Sequence, residues 1–528
     1  MGSFADRLGT RKSDLTGPSI TRREALALTA FGLAAVPRST LAADPEARLT
    51  WGIHVSLAPT WFDPADTQGI ITPFMVLYAL HDAVVKPMPD NPLAPCLAQS
   101  FAASEDGLSY EFVLRENAKF HNGEPVTAED VKFSFERYRG AAAPILKERV
   151  REVQVIDPGR VRFILKEPWP DFMTFYGTSA SGAAWVVPKK YFEKVGEDGY
   201  RKAPIGAGPY KFVSFQPGIE LVLEAFDGYW RKTPSVKRLV LRSIPDEATR
   251  AAALKRSEVD IAYFLNGPIA EDVRRTPGLT LSAMRTNGVL FLMFPDQWTA
   301  SSPWADRRIR MAASLALDRQ AINEAESLGF SGPTGNIVPR HQEFALPIPP
   351  DPYDPKRAKA LLAEAGYPSG LDAGDFTPFP PYNSMGEAIA NYLNAVGIRT
   401  RVRTMERAAL LSAWRDKKLK GLFVGATGSA GNASTRLEAF ATARGVLSYG
   451  SIPDVETLFA AQLQEMDRKK REEMLHQIQK IVYERVMFAP IWENGFIRAF
   501  GPRMEEAGMT LIPAFPYAGP LEELRLKR

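Results

Sequence analysis

The chain has 528 residues, of which 45% are hydrophobic and 24% charged. That is an ordinary globular composition, too long for one hydrophobic core, so two or three domains are expected. Sixty-five Lys and Arg against 61 Asp and Glu exclude the strongly basic surface that a nucleic-acid partner requires. A single cysteine, Cys96, excludes an intramolecular disulfide, and five scattered histidines exclude a helical pair at metal-ligand spacing.

Residues 1–43 read as a Tat-type signal peptide, not as part of the fold. Thr21-Arg22-Arg23-Glu24-Ala25-Leu26 is a twin-arginine pattern, followed by an apolar run from Ala25 to Val36 and small residues at Ser39–Ala43. This is the region order of an export signal, and a run of about 12 residues is too short to span a bilayer. Without residues 1–43 the balance is 59 basic to 58 acidic residues, and no cysteine closes the signal to carry a lipid. The expectation is a free periplasmic protein.

From Leu49 the chain alternates as a half-buried strand: Leu49, Trp51 and Ile53 against Thr50, Gly52 and His54. Ile71–Val85 suits a helix, ended by Pro87 and Pro89. Asp106-Gly107 signals a hairpin leading into the alternating Tyr110, Phe112 and Leu114. Thr127 with Asp130 forms a short capping box for a helix carrying Val131, Phe135 and Tyr138. Strands follow at Val153–Ile156 and Val161–Leu165 around Asp157-Pro158-Gly159.

Gly206-x-Gly208 invites a phosphate-loop reading and fails it. Lys211 stands where a dinucleotide fingerprint needs glycine, and Pro209 removes a backbone N–H. A tight turn feeding a hairpin, Tyr210–Phe215 and Glu220–Phe226 around Pro217-Gly218, is expected instead. Val236–Ile244 reads as a strand, Asp246 starts a helix, and Glu258–Ala262 reads as a short strand. The run VLFLMF after Asn287 is a buried strand, and Asp306 precedes a helix bearing Ile309, Ala312, Ala313 and Ala316.

Asp354-Pro355 opens a helix that Gly366 and Pro368 close. Helix and strand alternate through Ile389–Val396 and Ile398–Thr404, where Arg399, Arg401 and Arg403 suit a solvated edge. An amphipathic helix spans Asp467–Glu484, Pro490 ends that region, and the apolar residues of Phe496–Arg528 require the tail to dock. No Gly-x-Ser-x-Gly, Walker A or His-Glu-x-x-His pattern occurs.

These segments together resemble the extracellular solute-binding proteins of the dipeptide/oligopeptide/nickel class, family 5, which serve ABC importers. The resemblance is carried by Tyr110–Arg115, Lys119–Gly123 and Thr127–Val131, by Pro204–Tyr210 with Gly228–Trp230, by Asp306–Arg310 with Ala316–Arg319, and by Tyr353–Pro368. They stand in order over nearly all of the chain from Leu49 to Pro490. The resemblance implies an α/β, two-lobed type II periplasmic-binding-protein fold. Lobe I would hold 44–285 plus 496–528, with an inserted subdomain at 77–203, and lobe II 286–495. It further implies capture of a peptide-like or other small organic solute between the lobes, delivery to an ABC permease in the inner membrane, a monomer, no cofactor and no catalysis. A metal chelate, an opine or a sugar conjugate is the alternative cargo, and a periplasmic sensor or chaperone the alternative role.

The residues expected to bind solute are Trp61, Asp63, Tyr382, Asn383, Trp414, Ser429, Arg436 and Trp492, each with a packing or capping role as its alternative. Peptide-binding members carry an aromatic residue and, three positions on, an Asp for the peptide amino group; Ala426 and Ser429 stand there in this chain. Arg436 is the expected partner for a solute carboxylate.

Overall fold

The structure is a computed structural model. It describes residues 47–66, 73–140, 142–177, 181–380, 382–428, 431–509, 511–512 and 515–527, all within the compact unit Glu46–Arg528. The signal-peptide reading of 1–43 and the candidate Ser429 lie outside the described residues.

Eleven strands form one mixed sheet. Neighbours run Ile398–Val402, Leu371–Thr377, Leu422–Thr427, Thr280–Met293, Phe488–Phe500, Ile261–Tyr263, Arg48–Ile53, Arg238–Ser243, Glu220–Ala225 and Tyr210–Gln216. Gly332–Pro333 pairs beside Phe488–Phe500. The antiparallel strands Thr280–Met293 and Phe488–Phe500 serve both halves of this sheet. Thr280–Arg285 pairs with Gly495–Phe500, and Ile261–Tyr263 lies on the far side of the latter. Val289–Met293 pairs with Phe488–Glu493 and with Phe423–Thr427. Register breaks between Arg285 and Val289.

Each half has its own core. One is drawn from residues between Leu49 and Tyr263 and again from Phe496 to Leu524; the other runs from Val289 to Trp492. Two lobes result, joined by two long strands whose pairing slips between them. Such a slip bends a strand and loosens its ladder locally.

Parallel pairing explains one departure from the alternating pattern. Arg48–Ile53 lies between Arg238–Ser243 and Ile261–Tyr263, so Thr50 and Gly52 are buried along with Leu49, Trp51 and Ile53. The expected helix at Ile71–Val85 is shorter, Phe74–Leu80, with every residue buried, and Val85 already begins the strand Val85–Met88. Pro490 does not end a region: it sits inside Phe488–Phe500 at a second register shift, opposite Phe291. A bulge is where a strand tolerates a residue without an N–H.

A separate four-stranded antiparallel sheet is ordered Ala98–Ala103, Ser109–Leu114, Arg160–Leu165, Val150–Asp157, and it shares the first lobe's core. The hairpin at Gly107 takes a φ of +67°. The Thr127–Asp130 capping box closes in both directions on the helix Ala128–Arg137. Asp246, Asp306 and Asp354 cap their helices with their carboxylates.

Gly206 and Gly208 form a close backbone crossing, not a phosphate cradle. A Cβ on Gly206 would stand 1.9 Å from the Leu80 carbonyl oxygen, and one on Gly208 would stand 2.5 Å from that of Ala79. The turn feeds the hairpin Tyr210–Gln216 and Glu220–Ala225. The tail docks as its composition requires, burying Met504, Met509, Ile512, Tyr517, Leu521 and Leu524 in the first core. No helix among the described residues is long and apolar enough to cross a membrane.

Candidate functional site

In open α/β sheets a ligand crevice forms beyond the carboxyl ends of parallel strands. Here two sets of such ends converge on the register break. On the first lobe, Arg48–Ile53 and Ile261–Tyr263 run parallel and end at His54 and Phe264. On the second, Leu371–Thr377 and Leu422–Thr427 run parallel; Thr427 stands opposite Val289 at the edge of the break, and the loop after Thr377 leads to Tyr382.

The first lobe's end is aromatic. The His54 ring is sandwiched between Phe264, 5.1 Å away at 17°, and Tyr517, 5.7 Å away at 7°. Its Nδ1 lies 3.1 Å from the Tyr263 hydroxyl. Phe496 closes the group, 5.5 Å from Tyr263 and 5.2 Å from Tyr517. Phe264 holds a φ of +58°, a costly conformation for a bulky residue and one that concentrates at ligand sites.

The break itself carries polar groups. Asn494 Nδ2 donates to the Tyr382 hydroxyl at 2.9 Å. The Gly288 N–H donates to Thr286 Oγ1 at 3.2 Å, and that hydroxyl donates to the Asn494 carbonyl at 3.3 Å. Asn287 Oδ1 and Trp492 Nε1 are buried with no hydrogen-bond partner among the described residues, which is costly in an interior without a bound partner. Glu493, 1% exposed, pairs with Arg340 through both its guanidinium and its N–H, each at 2.6 Å. Arg285 is half-buried beside Gly332, where a Cβ would stand 2.6 Å from its Nε.

The seven expected residues that the structure describes are not brought together. Tyr382 and Trp492 lie at the break. Asn383 is exposed at the start of the helix Asn383–Val396, and Trp61 is half-buried in the turn Pro59–Phe62, packed on the first core. Asp63 is fully buried, bound by both Arg137 nitrogens at 2.7 and 2.6 Å and by the Ala65 N–H. Trp414 is enclosed in the second core between Phe423 and Phe440, its Nε1 donating to the Leu447 carbonyl at 3.0 Å. Arg436 is also fully buried: Nε donates to the Ile337 carbonyl at 2.9 Å, and the guanidinium lies 4.6 Å from the Phe440 centroid. Burial lowers its pKa to about 9.

His54, Phe264, Phe496 and Tyr517 were not among the residues expected from the sequence. Only the position of His54 at the end of a strand could have signalled it; Tyr517 arrives from the tail. Among the described residues no group of three or more His, Cys, Asp or Glu is placed to hold a metal ion.

Comparison with known proteins bears on the fold and the family. The glutathione-binding protein GsiB of Salmonella typhi is 26% identical over 509 residues, covering 92% of this chain and 96% of its own. The dipeptide-binding protein of Escherichia coli K12 is 27% identical over 458 residues, 79% of this chain and 84% of that protein. The crystal structure of NikA from Brucella suis in complex with Fe(III)-EDTA superposes with a TM-score of 0.78 at 22% identity, over 92% of this chain and all of that one. The model of bacterial extracellular solute-binding proteins, family 5 Middle, matches residues 92–447. The chain therefore belongs to the bacterial extracellular solute-binding proteins of family 5.

Proposed function

We propose that this protein is the periplasmic substrate-binding component of an ABC importer. It is exported by the Tat route with residues 1–43 removed, and it captures a small peptide-like or other organic solute between lobes 44–285 plus 496–528 and 286–495, with 77–203 as an inserted subdomain. The observation that carries the reading is the convergence of both lobes' strand ends on a register break in the two strands that join them. Solute bound there touches both lobes and favours the closed form, since a ligand shifts an equilibrium only by its differential affinity for the two states. The permease then takes solute from the closed form.

Tyr382, Trp492, Asn383, Trp61 and Ser429 are the proposed solute contacts retained from the sequence, joined by His54, Phe264 and Asn287. In the loop after Thr427, Gly428, Gly431, Asn432 and Ala433 carry no carboxylate. That removes the usual carboxylate partner of a peptide amino group and leaves room for a different or bulkier solute beside a peptide-like one.

Thermal-shift screening of the mature protein with glutathione, dipeptides, opines and Fe(III)-EDTA tests this. A solute at 100 times its dissociation constant stabilises the fold by about 2.7 kcal/mol. Chemical turnover of the bound compound, followed by mass spectrometry, would overturn a transport role.

A further inference from the structure

We propose that Asp171 and Arg471 form a latch between the lobes, acting on solute affinity through closure without touching solute. The inference rests on the reading that the lobes close around solute.

Asp171 belongs to the first lobe. The next residue, Phe172, is locked into that core by Tyr110, Phe163 and Tyr176, with ring centroids 4.5, 5.5 and 5.3 Å away. Arg471 belongs to the second lobe, in the first turn of the helix Arg468–Glu484, whose Leu475 and Ile478 lie in the second core. Both side chains are 4% exposed. Arg471 grips the carboxylate bidentately, Nη1 to Oδ1 at 2.8 Å and Nη2 to Oδ2. Asn432 Nδ2, also of the second lobe, donates to Oδ1 at 2.8 Å.

All three of these donors to Asp171 come from the other lobe. Arg471 keeps one partner at home, its Nε donating to Gln462 Oε1 at 3.0 Å, while Gln462 in turn donates to Ser434 Oγ at 2.9 Å. The pair is therefore not needed to fold either lobe, and it forms only when the lobes meet. Two close approaches show that it sits within a fitted surface. A Cβ on Gly431 would stand 3.1 Å from Thr174 Cγ2, and one on Gly107 would stand 3.1 Å from Met466 Cε.

Desolvating two charges roughly cancels their attraction, whereas burying one without the other is strongly unfavourable. Removing a single member should thus disfavour the closed form while leaving the open form, where both face water, unaffected. Spin labels on cysteines introduced at the exposed positions Glu152 and Lys359 report the inter-lobe distance in the mature protein. The comparison runs across wild type, Asp171→Asn, Arg471→Gln and the double variant. Two distance populations are expected in wild type. Each single variant should lower the closed-to-open ratio about 100-fold or more, with little change in melting temperature, and the double variant should recover part of the loss. Solute affinity, read with whichever of glutathione or Fe(III)-EDTA binds wild type, should fall in parallel. Two populations unchanged by the single variants, or two losses that simply add in the double variant, would overturn the latch alone. One fixed distance in all four proteins would overturn lobe closure itself.

Discussion

His121 holds the Gly206–Gly208 turn from both sides: its Nδ1 accepts the Gly206 N–H at 3.2 Å, and its Nε2 lies 3.0 Å from the Gly208 carbonyl oxygen. Only the neutral ring can accept at one nitrogen while donating from the other.

Burial lowers the His121 pKa to about 3, and that of His81 to about 4. Above the unfolded value, about 6.5, both rings are neutral folded and unfolded, so they add no pH dependence. As pH falls from there towards 4, the unfolded chain binds protons that the fold refuses. Each histidine then removes about 1.4 kcal/mol of stability per pH unit. Urea titrations between pH 7 and 4.5 should show this slope, and His121→Gln should flatten it by about half relative to wild type.

Gly206 and Gly218 should respond to alanine to very different degrees. The Gly206→Ala methyl meets the Leu80 carbonyl at 1.9 Å and His81 Nδ1 at 2.6 Å, a backbone collision that cannot relax. Little folded protein should be recovered. Gly218 has a φ of +73° with nothing within 4 Å of an added Cβ, so Gly218→Ala should cost only about 1 kcal/mol by denaturant unfolding.

Arg436→Ala should act on stability and not on solute. It opens a cavity between Phe291 and Phe440 and strands the Ile337 carbonyl, a loss of about 3 kcal/mol or more. Isothermal titration of the folded fraction should return near wild-type affinity. Full stability with lost binding would instead make Arg436 the solute anchor.

The Cys96 thiol is buried and, mainly through that burial, pushed up to about 12. The thiolate is the reactive form, so a disulfide reagent at pH 8 should leave native protein unlabelled and modify one thiol promptly in urea.

Local signals carried much of the architecture. Asp246, Asp306 and Asp354, the Thr127–Asp130 box, and the turns at Gly107 and Gly218 appear where the chain announced them, because caps and turns involve residues a few positions apart. The strand pattern misled where neighbours on both faces decided burial, as at Thr50 and Gly52. It also misled where a bulge admitted Pro490 into a long strand. The aromatic candidates divided on the same ground: Trp414 and Trp492 look alike in sequence, yet one finds the Leu447 carbonyl inside a core and the other reaches the register break.

Composition and local pattern by themselves determined only a chain long enough for more than one core with mixed α/β content, and the ordered motifs carried the resemblance to this family, which implies the two lobes; these are properties of neighbouring residues and of their order. Which side chains meet was decided by tertiary structure alone. His54 stacks on Tyr517 across 463 positions within the first lobe, and Arg471 grips Asp171 across 300 between the lobes, contacts that no local propensity encodes because they exist only once distant segments have packed together.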